Sequence, residues 1–371
     1  MKFLIAAQIV SLIVFASGFS AQAQPETAKI YGGYYMSSTM RVLPCDKINF
    51  QNYNFIFQAF LEFDENGNLL LKPGIMPNPE LVKAAHQNGT RVMVSLGGGN
   101  VFRQKLFSKI TAAEDSLEKY AERLVNFVTE NDYDGIDVDW EFPDSREDGR
   151  RWSSLIKSLR VKLDAAGSKS QRKYYLTTAL PTGSWAIKYA DPQVIRECLD
   201  FINIMAYDMS CGSNAGYHAA LEKSADDPLG REIITTFKYY EETLKVPKDK
   251  LCLGVPFYSY FYANCKPYDK ITDTKCKSDR GWTQIAAMTK DWKRMYNSQS
   301  RSAWFFSRDG RQFIAADDPQ SIYDKTMWAL QNGYGGVFCW AVHHDVMPDG
   351  SQPLTTSMLK ARNDFQNGRL K

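Results

Sequence analysis

Residues 134–141 read Asp-Gly-Ile-Asp-Val-Asp-Trp-Glu, followed by Phe142-Pro143. In an extended strand, residues two apart face the same side, so Asp137, Asp139 and Glu141 project together, with roughly 7 Å between neighbours. Ile136, Val138 and Trp140 take the opposite face. Three carboxylates in a row repel one another, and the run contains no cation to offset them. Crowding and burial disfavour the charged form, which lets one carboxylic acid stay protonated near neutral pH. The chemistry this predicts is proton donation by a member of the row. Asp134, three residues before Asp137, falls off that face and is expected to have a structural role near the strand start.

Such a row needs a strand whose carboxyl end opens on a cleft. Short β-rich runs alternate along the chain with longer helical stretches, and no linker or low-complexity segment interrupts them. Strands are predicted at Ile30–Tyr35, Phe55–Leu61, Arg91–Leu96, Gly135–Trp140, Tyr174–Leu180, Phe201–Ala206, Leu251–Phe257 and Gly336–Ala341. Helical periodicity fills Pro79–Gln87, Ala113–Glu130, Arg146–Ala166, Gly230–Leu244, Pro319–Gln331 and Leu354–Phe365. Eight strands separated by helices predict an α/β fold, a parallel sheet closed into a (β/α)8 TIM barrel. A doubly wound open sheet is the competing architecture, and the strand count favours the barrel. Barrel enzymes carry their chemistry at the carboxyl ends of the strands, where Glu141 falls. Between the seventh and eighth strands, Tyr258 to Phe313 lacks clear periodicity, holds two Cys and is dense in Lys, Asp, Tyr and Trp. It is read as a small insertion, about 259–313, on the catalytic face.

With these residues in place the chain resembles glycoside hydrolase family 18, the chitinase family, whose signature DxxDxDxE lies on the fourth barrel strand. Tyr31-Gly32-Gly33-Tyr34-Tyr35 resembles the family's first strand and Ala59-Phe60 its second. Ser95-Leu96-Gly97-Gly98 matches the SxGG of the third, and Met205-Ala206-Tyr207-Asp208 the M-x-Y-D of the sixth. Gly254-Val255-Pro256-Phe257-Tyr258 matches the seventh, and Trp340 the tryptophan ending the eighth. Asp317-Asp318-Pro319-Gln320-Ser321-Ile322 resembles the segment before the last helix of that family's barrel.

The resemblance implies a secreted, endo-acting hydrolase of β-1,4-linked N-acetylglucosamine polymers, working without cofactor or metal by substrate-assisted catalysis. Glu141 would protonate the glycosidic oxygen. The substrate's own 2-acetamido carbonyl would attack the anomeric carbon, with Asp139 holding the acetamide N–H, Tyr207 its oxygen, and Asp137 sharing a proton with Asp139. Trp340 would floor the subsite of the reacting sugar. Tyr34, Phe60, Met205, Asp208 and Tyr258 carry over as pocket walls, and Gly98 and Gly99 as a tight strand-end turn that lets a sugar approach closely. Two departures stand out. Many members follow SxGG with a tryptophan where this chain has Gly99-Asn100, and many carry arginine two residues after the seventh-strand tyrosine, where Tyr260 stands. Other readings of the same resemblance are an endo-β-N-acetylglucosaminidase acting on N-glycans and a silent chitin-binding lectin. The presence of Glu141 weighs against the lectin, and the Trp140-Glu141-Phe142-Pro143 context favours the chitinase.

The remaining signals bound the partners. The chain has 371 residues, 44% of them hydrophobic, enough for a large core. Lys+Arg at 45 against Asp+Glu at 42 leaves only +3, too balanced for a nucleic-acid binder driven by phosphate contacts. Met1-Lys2, the apolar run Phe3 to Phe19 and Ala21-Gln22-Ala23 read as a signal peptide (residues 1–23), so 24–371 is expected to be an exported catalytic barrel, monomeric and free of the membrane. The carboxyl end, Lys360 to Lys371, carries no lipid-anchor or retention pattern. Export permits disulfides, and of the seven Cys the pair Cys265 and Cys276 is the expected bridge, with Cys252 and Cys339 as buried thiols. Neither a zinc spacing nor HExxH appears. Asn88-Gly89-Thr90 is an N-glycosylation sequon, of meaning only in a eukaryotic host, and His343-His344-Asp345 is read as a polar loop rather than part of a triad.

Overall fold

The computed structural model describes residues 29–369 except 186, 211–213, 226, 229 and 272–275, with the backbone alone at 276–279. The expected signal peptide lies outside the described residues, as does the side chain of Cys276 and hence its expected bridge to Cys265.

The parallel strands are β1 (Ile30–Met36), β2 (Phe55–Phe63), β4 (Arg91–Gly97), β5 (Gly135–Asp139), β6 (Tyr175–Pro181), β7 (Phe201–Met205), β8 (Leu251–Pro256) and β14 (Gly336–Trp340). Each pairs in parallel with its neighbours and β1 pairs with both β2 and β14, so among the described residues eight strands close into a TIM barrel. The two-residue β3 (Leu69–Leu70) returns antiparallel on β2. Because the strands are covered on both faces, they read as apolar runs broken where the site requires it. Rings fill the barrel from below: Phe55 meets Tyr175 and Phe201, each at 5.1 Å, and Phe57 stacks under Tyr34 at 4.7 Å. This packing accounts for part of the high aromatic content.

The helices are α1 (Pro79–Gln87), α2 (Val101–Ile110), α3 (Glu114–Glu130), α4 (Arg146–Ser170), α5 (Pro192–Cys198), α6 (Ile233–Lys238), α7 (Trp282–Met288), α8 (Pro319–Gln331) and α9 (Pro353–Gln366). Their starts follow from capping. Asn78, Ser145 and Asp318 each accept a backbone N–H of the first turn, and Pro follows Asn78 and Asp318 at the position where a missing N–H costs nothing. The expected helix Gly230–Leu244 begins only at Ile233 and widens into a π turn at Tyr239–Thr243.

The segment after β8 is not irregular. It forms a five-stranded antiparallel sheet of β9 (Tyr258–Ala263), β10 (Cys276–Gly281), β11 (Lys293–Asn297), β12 (Ser302–Phe306) and β13 (Gln312–Ala316), in the order β10-β9-β13-β12-β11. The sheet runs three residues beyond the expected end at 313 and starts one residue after β8. Tyr260, Tyr262, Trp304 and Phe313 form a second hydrophobic cluster, which Ala215, Tyr217 and Ala220 of the segment after β7 complete. The inserted sheet is tied to the barrel by a fully buried ion pair, Lys325 Nζ to Asp317 Oδ1 and Oδ2 at 2.5 and 2.7 Å. Cys252 and Cys339 are fully buried in β8 and β14.

Candidate active site

Strand β5 lies between β4 and β6 with Asp137 in register with Ser95 on one side and Thr177 on the other. Register therefore dictates its hydrogen bonds. Ser95 Oγ donates to Asp137 Oδ2 at 2.8 Å and Thr177 Oγ1 to Oδ1 at 2.7 Å. Tyr34 OH, from β1 across the barrel, donates to Oδ2 at 2.8 Å, and Asn203 of β7 donates to the Tyr34 oxygen at 3.0 Å. Asp137 is thus a carboxyl held from three directions at the top of the ring-packed core. Burial lifts its pKa, and the three donors pull against that lift.

Two residues on, Asp139 stands beside Gly97. It too is buried, and its Oδ1 has no hydrogen-bond partner. Burial first, then the charges of Glu141 and Asp137, holds its proton well above the usual carboxylate range. Glu141, just past the strand end, is half-buried at the mouth, and its pKa is pushed up to about 7 by burial and then by the charge of Asp208. The outward-facing Trp140 stacks on Phe107 of α2 at 5.0 Å, which anchors the strand end from outside. Asp134 sits at the other end of the strand, accepting from Val92 N–H at 2.7 Å, His86 at 2.8 Å and Arg172 at 2.6 Å, as a staple under the barrel.

Glu141 opens on a cavity of about 690 Å³, shared with Phe142, Trp185, Met205, Tyr207 and Asp208. That volume is in the range of small-ligand sites. Tyr207 is buried, and burial, with the charges of Asp208 and Asp139 next, raises its pKa well above the usual phenol value. Trp340, half-buried at the end of β14, is stacked on Phe60 at 5.9 Å and meets Tyr34 at 5.3 Å. The peptides Ala59-Phe60, Glu141-Phe142 and Trp340-Ala341 at this mouth are cis.

The glycine turn does its work by absence of side chains. Gly97 and Gly98 have φ of +101° and +80°. A Cβ on Gly97 would lie 2.1 Å from the Asp139 carbonyl oxygen, and one on Gly98 would lie 2.5 Å from the Phe60 ring. Gly99 faces Glu141, where a Cβ would find its Oε1 at 3.5 Å, an ordinary contact.

The structure brings the sequence-predicted residues to one end of the barrel in two groups. Tyr34, Phe60 and Trp340 pack on one another, while Met205, Tyr207 and Asp208 line the cavity with Glu141. Tyr258 OH donates to Asp208 Oδ1. Tyr260, which stands where many members of the resembled family carry arginine, is buried and donates to that same oxygen at 2.5 Å. Sequence reasoning did not single out Thr177, Asn203 or His218. Thr177 and Asn203 are polar residues on inward positions of otherwise apolar strands, the signal that could have found them.

The family model described as glycosyl hydrolases family 18 matches residues 29–345. Chitinase A1 of Niallia circulans is 27% identical over 287 residues, 69% of this chain and 40% of that protein. The chain spans about half the length of these curated relatives, Chitinase A1 and an endochitinase of Manduca sexta. A glycoside hydrolase family 18 N-acetylglucosaminidase from Paenibacillus barengoltzii superposes with a TM-score of 0.79 at 24% identity, covering 90% of this chain and 100% of the other. A chitinase-like agglutinin from Robinia pseudoacacia superposes with a TM-score of 0.78 at 23% identity, covering 89% and 98%. By the family match over most of its length, and by the carboxylate row that the barrel places at its mouth, this chain belongs to glycosyl hydrolases family 18.

Proposed function

We propose that the protein is an exported glycoside hydrolase that cleaves β-1,4-linked N-acetylglucosamine chains with retention of configuration, the substrate's acetamide serving as nucleophile. The observation that carries the reading is the gradient along the row: Asp137 saturated with donors, Asp139 buried with an unpartnered oxygen, and Glu141 raised to about 7 at the cavity mouth.

Each residue then has a task its surroundings suit. Glu141, protonated near neutrality, gives its proton to the glycosidic oxygen as the bond to the anomeric carbon breaks. The acetamide carbonyl oxygen closes on that carbon, and the positive charge of the resulting ring lies against Asp139, whose free Oδ1 accepts the acetamide N–H. Tyr207 donates to the acetamide oxygen and orients it for in-line attack. Water then attacks from the side the leaving sugar vacated and gives its proton to Glu141, which restores the acid and opens the ring with net retention. Trp340 and Phe60 offer a flat apolar surface to the ring carrying the reacting carbon.

The decisive experiment incubates the protein with chitin oligosaccharides and, separately, with a high-mannose glycoprotein, and follows products by mass spectrometry and anomeric configuration by NMR. Release of β-anomeric N-acetylglucosamine oligomers is expected. Release from the glycoprotein alone would assign the N-glycan reading, binding without cleavage the lectin reading, and equal rates on cellulose oligomers would exclude acetamide assistance. Export after cleavage behind Ala23 is part of the same reading, and amino-terminal sequencing of protein from the medium tests it.

A further inference from the structure

Asp208 stands on the wall of the cavity with Glu141, in a left-handed backbone conformation (φ +61°) and with its side chain about half exposed. Its carboxylate is nevertheless held by a built frame. Two tyrosine hydroxyls, of Tyr258 and Tyr260, donate to the single oxygen Oδ1. The Asp208 N–H donates to His218 Nδ1 at 3.2 Å, and that ring is buried, packed 4.6 Å from Tyr258 and 4.5 Å from Tyr260. Accepting at Nδ1 fixes the neutral tautomer with its proton on Nε2, and burial keeps the imidazole neutral by lowering its pKa to about 4. All the groups gripping Asp208 are therefore uncharged.

The two tyrosines are two apart on β9 and so share one face. Tyr262, next on that face, turns its hydroxyl instead to Ser210 at 3.1 Å. Hydroxyl donation to Asp208 is thus specific to Tyr258 and Tyr260 and is not a general feature of the strand.

We propose that Tyr260 is a positioning residue, which through Asp208 fixes a full negative charge beside Glu141 and so sets the pH range over which Glu141 carries its proton. A neutral donor orients the carboxylate without cancelling its charge. Glu141 is faced by Asp139 from its own strand, by Tyr207 and Asp208 from the segment after β7, and by Arg231 and Glu232 on the cavity wall, Arg231 donating to the Met209 carbonyl. Of these charged groups Asp208 alone is held by β9. Removing the Tyr260 hydroxyl leaves Oδ1 with the Tyr258 donor alone, so the carboxylate swings more easily toward solvent and its hold on the Glu141 proton weakens.

The inference rests on Glu141 as the acid, but its test reads the proton directly. The full chain, carrying ¹³C at glutamate carboxyls, is titrated by NMR, with the Glu141 signal assigned by its loss in Glu141→Gln. In Tyr260→Phe the Glu141 midpoint is expected to fall by on the order of half a pH unit, and in Tyr262→Phe to stay at the wild-type value. Asp208→Asn, which changes a half-exposed residue, is expected to lower the midpoint at least as far as Tyr260→Phe. An unmoved midpoint in Tyr260→Phe, an equal shift in Tyr262→Phe, or an unmoved midpoint in Asp208→Asn would each overturn the inference. A shifted midpoint in a protein that cleaves no chitin oligosaccharide would leave the inference standing and overturn the function instead.

Discussion

Glu141 differs from the two aspartates behind it in one respect that decides its role: it borders the cavity, while they are walled in. Glu141→Gln keeps the shape and the hydrogen-bonding edge but removes the transferable proton. It is expected to lower kcat on chitin oligosaccharides by about 10²–10⁴-fold, with Kd from calorimetry changed far less, because the proton acts on the leaving oxygen and contributes little in the ground state. The sign of the pH dependence follows from the same proton. Burial and Asp208 raise the group to about 7, and a donor works only while protonated. The kcat/KM profile should therefore hold on the acid side of about 7 and decline with rising pH beyond it, approaching about tenfold per unit. A profile still rising between pH 7 and 9 would remove Glu141 from the acid role.

At the level of elements, the turn after β4 separates glycines that the fold requires from one it does not. Gly98→Ala drives a Cβ into the Phe60 ring and asks an L-residue to hold φ +80°, for a loss on the order of 2 kcal/mol in urea denaturation. Gly99→Ala meets only an ordinary contact and should leave stability within about 0.5 kcal/mol of wild type. Gly99→Trp adds an indole beside Glu141, and the expected outcome is a lower KM for longer oligosaccharides with kcat little changed, read from the length dependence of kcat/KM. The elements themselves were largely legible. The eight barrel strands fall within two residues of their predicted bounds, and α1 and α8 match at both ends, because Asn78-Pro79 and Asp318-Pro319 announce their starts. What escaped did so for physical reasons. Helix α2 mixes exposed Val101 and Phe102 with buried Leu106 and Phe107, so its apolar residues mark no single face. The seven-residue α5 is too short for periodicity, though Asp191-Pro192 marks its cap. In β9 the alternation Tyr258, Tyr260, Tyr262 is present, but Ser259 is buried as well, which blurs the two-residue pattern. The carboxylate row was legible because its period and its strand coincide. The frame around Asp208 was not, because Tyr258 and Tyr260 reach it from a strand far along the chain, and nothing in the sequence pairs them with His218.

For the molecule as a whole, the barrel floor carries its own pH sensitivity. Asp134 loses some of its preference for the charged form to burial, but hydrogen bonds and charge from His86, the Val92 N–H and Arg172 outweigh that and lower its pKa. His86 is raised, first by its hydrogen bond to Asp134, against a cost of burial. A lowered carboxylate adds stability above its unfolded value near pH 4 and loses it as pH falls through the folded pKa. A raised histidine adds stability below its unfolded value of about 6.5 and loses it as pH rises through the folded pKa. Both contributions are present together between about pH 4 and 6.5. Asp134→Asn should therefore lower the urea midpoint more at pH 5.5 than at pH 8, where His86 has lost its charge and can give Asp134 only a neutral hydrogen bond beside those of Arg172 and Val92. An equal drop at both would mean that His86 is not part of the staple.

A single residue, Phe257, separates β8 of the barrel from β9 of the inserted sheet, and much of the second hydrophobic cluster lies in that sheet. In modular terms the segment 258–316 looks exchangeable, a cassette that enters and leaves the chain through two short joints to the barrel. Its opening strand, however, holds Asp208 with two hydroxyls. A chimera that swaps this cassette to reshape the cleft wall would also replace the grip on the neighbouring charge, so its working pH would travel with the graft even though every residue of the acid row stayed in place.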